Sequence, residues 1–156
     1  MMFTNTNEVY DLVKAFENRT IPKSEWTHQA HLAVGLYYCN TRPFLVAKNV
    51  MRDGIYWLND SHGTPNTDES GYHETLTVFW LKRIWNFLDE RTDTLSLAAL
   101  ANALIAQYDD PRLPFSYYSR DLLFSASARH EYFPPDLRIK RRMSLSVSLC
   151  TLKPLY

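Results

Sequence analysis

The stretch "EWTHQAHLAVGLYY" (residues 25–38) reads as one helix in which almost every side chain is apolar or aromatic. A helix with so little polar face is bound for the core of whatever it folds into. Two imidazoles, His28 and His31, nevertheless sit three residues apart in its first turns. The fold must bury this segment and also account for those two rings.

The remaining pattern is helical too. Asn5 or Thr6 caps a first helix running to about Asn18, with Val9, Leu12, Val13 and Phe16 on one stripe. "RTIPKS" breaks it, and Ser24 is the expected N-cap of the apolar helix, which extends to about Cys39. "NTRP" closes that helix and sets Pro43 near the start of a third, where its missing N–H costs little. Phe44, Ala47, Met51, Ile55 and Leu58 form its apolar face, and Gly63 stops it. "TPNTDESG" (64–71) is a polar loop. "YHETLTVFWLKRIWNFLDER" then gives the longest helical signal, about residues 71–91. A fifth helix follows Asp93 or Thr94 and ends at "DDPRLP". Short helices are expected after Ser119 and near Ser127, before "FPPDL". The fold class is all-α: a single-domain bundle of about five main helices with short C-terminal helices.

The chain has 156 residues, 46% of them hydrophobic, enough for one domain with a real core. The domain is expected over 1–137, which holds 12 Lys+Arg against 17 Asp+Glu, a balance of −5. Residues 138–156 carry 5 basic residues and no acid, four of them in "RIKRR". This basic tail is read as disordered or, through "SLSVSL", as a short strand. One short basic cluster is weak footing for nucleic-acid binding, so a solvated tail is the reading adopted. The N-terminus lacks a basic start followed by an apolar run, and no apolar stretch of about 18 residues occurs. Neither a signal peptide nor a membrane span is expected. Cys39 and Cys150 make no framework and read as two free thiols in a reducing cytoplasm. Homo-oligomerisation is left open.

The histidines carry the functional lead. At about 100° per residue, Lys82, Asn86 and Asp89 mark the wet stripe of the fourth helix. His73 falls near the opposite side, sharing an inward stripe with Thr77, Trp80 and Ile84, while Glu74 lies about a quarter-turn away. On the second helix His31 falls away from the polar stripe of Glu25, Gln29 and Asn40. His28 and His31 are about 60° apart around the axis and about 4.5 Å along it. Gly35 continues their stripe and leaves room for a neighbouring helix or a ligand. Three imidazoles from two helices thus converge on one interior, a set that suits a divalent ion such as Zn, Fe, Mn or Ni. Glu74, or Asp68 and Glu69 from the loop, offers a carboxylate. The alternative is a set of polar core residues bonded to carbonyls or tyrosine hydroxyls. "HETLT" begins like the zincin helix but has Thr77 where the second His should be, which argues against that metalloprotease site. His62 and His130 read as surface residues.

No G-x-S-x-G, P-loop, G-x-G-x-x-G or C-x-x-C occurs, so no nucleotide cofactor is expected. In "FSYYSRDLLFSASAR" (115–129), Tyr117, Tyr118 and Arg129 share a compact aromatic segment. The Arg129 fork suits a carboxylate or phosphate, or a salt bridge to one of the chain's own acids.

Together, Trp26-Thr27-His28-Gln29-Ala30-His31-Leu32, Tyr72-His73-Glu74-Thr75-Leu76-Thr77, Tyr118-Ser119 with Ala128-Arg129, and Pro135-Asp136-Leu137 resemble the pattern of a bacterial family of helical proteins with no assigned activity. The resemblance covers roughly 26–137 and implies that His28, His31, His73, Glu74, Thr77, Tyr118 and Arg129 form one constellation. It stops after Leu137, so "RIKRRMSLSVSLCTLKPLY" shares no implied role.

Two functions follow. In the first, His28, His31 and His73 hold a divalent metal, Glu74 is fourth ligand or general base, and Tyr118 and Arg129 complete a site acting on a small molecule. Hydrolysis or isomerisation is the reaction class. In the second, the protein is a non-catalytic helical module. Its aromatic interior (Trp26, Trp80, Trp85, Tyr72, Tyr118) binds an organic ligand or a partner helix, with the histidines as hydrogen-bonding groups. Neither reading calls for a membrane or nucleic acid.

Overall fold

The computed structural model describes residues 1–137, and these form one all-helical domain. The basic tail, read as disordered or a short strand, and Cys150 lie outside the described residues. Five main helices appear in order: α1 (Thr6–Glu17), α2 (His28–Thr41), α3 (Phe44–Ser61), α4 (Glu74–Asp89) and α5 (Leu97–Tyr108). A 3-10 turn (Leu113–Ser116) and two short helices, α6 (Arg120–Leu123) and α7 (Ala126–His130), follow.

Most ends form where capping chemistry puts them. The Asn5 side chain accepts the Glu8 N–H at the start of α1, and Ser119 and Ser125 do the same for α6 and α7. Gly63 ends α3 with φ +62°, a conformation that costs glycine little. Two starts differ from expectation. Helix α2 begins not after Ser24 but after Thr27, whose hydroxyl accepts the Ala30 N–H. The N–H groups of Glu25 and Trp26 both turn to the Pro22 carbonyl instead. That turn stacks Trp26 on Phe16 of α1, with ring centroids 5.1 Å apart. Helix α5 starts after Ser96 rather than Asp93 or Thr94.

Helix α2 lies at the centre, packed against α1, α3, α4 and α5. From Leu32 to Leu36 every residue is buried. Gly35 lets α4 close on it: a Cβ there would come within 2.9 Å of Ile84 Cδ1. Helix α7 packs on α4, with α6 beside it. The wet stripe of α4 is as expected, with Lys82, Asn86 and Asp89 exposed. Trp85, expected inside, is 37% exposed and meets Phe44 edge-on.

The packing of α1 against α3 depends on Gly54, because an added Cβ would run into the ring of the buried Phe16. Alanine is the better helix former by about 1 kcal/mol, but overpacking a rigid aromatic costs about 1–3 kcal/mol. With added Cβ contacts far inside van der Waals distance, the cost falls at the upper end of that range, and Gly54→Ala is expected to lower stability by up to about 2 kcal/mol. The check is a lower urea midpoint at unchanged slope.

Candidate functional site

A cavity of about 350 Å³ opens among α2, α3 and α4 and the segment after α5. His28, His31 and His73 all line it, with Thr77, Trp80 and Ile84 from the inward stripe of α4. Leu32 of α2, Met51 and Ile55 of α3, and Pro111 complete much of the wall. Among the described residues no Asp, Glu, Lys or Arg lines it.

Each imidazole is oriented by a backbone carbonyl. A carbonyl can only accept, so the ring nitrogen facing it must carry the proton. His28, at the first turn of α2, donates from Nε2 to the Tyr108 carbonyl (2.9 Å), one of the free acceptors at the end of α5. Its ring lies against Trp80, centroids 4.6 Å apart. His31 donates from Nδ1 to the Thr27 carbonyl (2.8 Å) and packs on Trp26 at 3.8 Å. Among the described residues neither His28 Nδ1 nor His31 Nε2 has a hydrogen-bond partner. No fully buried side-chain nitrogen or oxygen among them lacks one. These two nitrogens therefore open to the cavity or to solvent.

His73 differs, because both of its nitrogens are engaged. Nε2 donates to the Leu123 carbonyl at the end of α6 (2.8 Å), and Nδ1 accepts the Leu76 N–H (3.3 Å). It is the N-cap of α4, a position usually given to Ser, Thr, Asp or Asn. Its lone pair is committed to a peptide N–H. Among the described residues, no group of three or more His, Cys, Asp or Glu is placed to hold a metal ion.

The other expected site residues stand apart from this cavity. Glu74 is buried, accepts the Tyr72 hydroxyl at 2.6 Å and pairs with Lys48 at 3.2 Å. Of these residues Tyr72 lines the cavity, and burial plus the Glu74 bond push its hydroxyl pKa well up. Tyr118 is buried against Phe79 and donates to the Phe133 carbonyl at 3.1 Å. Arg129 makes no salt bridge among the described residues; it donates to the carbonyls of Asp68, Gly71 and Tyr72. Of the other histidines, His130 is exposed beside Asp68 (2.6 Å), while the half-buried His62 donates to the Ile21 carbonyl. Cys39 is buried, which pushes its thiol up to about 12, so it is no nucleophile at neutral pH.

Sequence reasoning missed Pro111, Met51 and the Tyr108 carbonyl. Pro111 follows the "DD" that ends α5, the one local hint that carbonyls are left free there. The chain matches no family model, no curated protein and no solved structure.

Electrostatics favour the neutral ring at His31 and His73. Burial drives the His31 pKa down to about 4, against the Thr27 hydrogen bond, with nearby His28 lowering it further. Burial also lowers His73, and the charge of Arg129 adds to this. Unfolded, both rings titrate near about 6.5. Between that pH and about 4 the unfolded chain binds protons that folded His31 does not, so acid pulls toward unfolding. Stability should be level in this respect above about pH 6.5 and fall as pH drops toward 4. Urea unfolding across this range checks it, and His31→Gln should reduce the slope. An unchanged slope would place the neutral ring elsewhere.

Proposed function

We propose that the protein binds a small organic molecule whose uncharged, largely apolar body fills the histidine-lined cavity. The observation that carries this reading is a cavity of about 350 Å³ with no Asp, Glu, Lys or Arg on its wall among the described residues, lined by two imidazoles each with an uncommitted nitrogen. Apolar walls with a few convergent polar groups are the usual character of a small-molecule site. At about 30 Å³ per water molecule, the space equals roughly a dozen waters, enough for a single aromatic ring with substituents. His28 Nδ1 and His31 Nε2 act as acceptors, so the ligand carries a hydrogen-bond donor. With its pKa near 4, His31 is a poor general base at neutral pH and a good neutral acceptor. The reading is therefore binding, without an assigned reaction.

A divalent cation on His28 and His31 is a second reading, favoured by one feature. Each ring gives its other N–H to a backbone carbonyl, the support that metal-bound imidazoles generally have. His73 would join only by giving up the cap of α4.

Titration with p-cresol and with toluene separates these readings, using the fluorescence of Trp80 on the cavity wall. p-Cresol is expected to bind about tenfold more tightly than toluene, one hydrogen bond's worth. Leu76→Trp, which fills the cavity, should abolish both. Failure of p-cresol to bind, or equal affinity for the two, overturns the organic-ligand reading. A Zn²⁺ or Ni²⁺ isotherm lost in His28→Ala and His31→Ala would put the metal in its place.

A further inference from the structure

A second, smaller cavity of about 110 Å³ lies against the first and shares His73, Leu76 and Pro111 with it. Its other walls are Pro114, Phe115, Leu123, Phe124 and Arg129. Two arginines stand close to it. Arg120 covers the exposed Phe115 and Phe124 rings at 5.3 and 5.2 Å, and Arg129 is half-buried.

A guanidinium has five N–H donors. Nε of Arg129 is bonded to the Asp68 carbonyl (3.0 Å), and Nη1 to those of Gly71 (3.3 Å) and Tyr72 (3.1 Å). These neutral acceptors fix the plane of the group and leave its charge in place. The two N–H groups of Nη2 have no partner among the described residues, and no described carboxylate forms a salt bridge with Arg129. The acid nearest in sequence to these contacts, Asp68, turns its carboxylate to His130 at 2.6 Å. A fixed, half-buried guanidinium with one unused edge on a cavity wall is poised for an anion.

We propose that the Arg129 cavity is the carboxylate subsite of the same ligand, so that the protein binds a small amphiphile with a donor-bearing aromatic or apolar body and one carboxylate end. This rests on the reading of the larger cavity as a ligand site. The body lies on Leu32, Trp80 and Ile84 with its donor at His28 and His31. This requires the carboxylate to pass between His73, Leu76 and Pro111, the residues both cavities share, to reach Nη2 of Arg129. His73 is a positioning residue here: its double hydrogen bond holds α4 to α6 and so fixes the wall between body and head group.

The test compares 3-(4-hydroxyphenyl)propionate with its uncharged amide by calorimetry on the full chain, with p-cresol alongside. The acid is expected to bind about tenfold more tightly than the amide, through a charge-assisted contact. The preference of acid over amide should disappear in Arg129→Gln, and Arg129→Lys should keep part of it. Since Arg129 also holds the loop carbonyls, the wild-type protein supplies an independent readout. The acid's advantage should shrink as salt rises from about 0.05 to about 0.5 M, while amide affinity does not. Equal binding of acid and amide, or a preference that persists in Arg129→Gln, overturns the carboxylate subsite. If that happens while p-cresol still binds, only this inference falls. If p-cresol also fails to bind, the larger cavity is not a ligand site, and both readings fall.

Discussion

Everything in this domain is arranged around a helix that has no wet side. From Leu32 to Leu36, α2 is buried at every residue, so four other helices must cover it. Burying an apolar side chain is worth about 1.5–3 kcal/mol, and Leu32, Val34 and Leu36 each contribute on that scale. Coverage on all sides is a steric demand as well as an energetic one. Gly35 meets it toward α4, where even a methyl group would press on Ile84. Polar groups on α2 are confined to its ends. Tyr38 sends its hydroxyl to Glu17 of α1 at 2.9 Å, and the histidines occupy the first turn.

The answer to the paired imidazoles lies in carbonyl groups more than in one another. His28, His31, His62 and His73 each donate a ring N–H to a main-chain carbonyl. Two of these acceptors, Tyr108 and Leu123, are the last residues of α5 and α6, where carbonyls lack intrahelical partners. An imidazole suits that task because it is flat, largely apolar, and brings one donor into a site that burial would deny to a charge. The arrangement sets each tautomer and thereby decides what remains. His28 and His31 keep one acceptor each; His73 spends its own on Leu76. The three rings meet on one cavity wall without being chemically equivalent.

How much of this was legible depended on the range of the contact. The inward stripe of α4 was readable from helical periodicity alone, since His73, Thr77, Trp80 and Ile84 all reach the cavity. The same geometry had put Glu74 on a flank, and there it meets Lys48 and Tyr72. Trp85 lies three residues from Lys82 on the wet side, so the sequence already held the reason for its exposure. Other features had no local signature. The carbonyl partners of Arg129 lie 57 to 61 residues away and belong to peptide units, which composition does not mark. His73 escaped notice as a cap because imidazole rarely fills that role. The late start of α2 depends on Trp26 finding Phe16 in α1, a tertiary contact that outweighs the local preference for Ser24.

The cavity has to be weighed against this close packing. An empty, enclosed apolar void costs about 24 cal/mol per Å³, so about 350 Å³ would consume much of the roughly 5–15 kcal/mol that keeps a domain folded. Access to water lowers that cost, but the half-buried Trp80 face then stays hydrated instead of packed. A network of histidines serving only as carbonyl partners needs no such space; His62 does the same at the end of α3 without lining it. The free volume lies beside the two rings with unused acceptors and next to a second cavity lined by Arg129, whose Nη2 has no partner among the described residues. A ligand that fills the first and anchors in the second would restore both the missing packing and the missing hydrogen bonds.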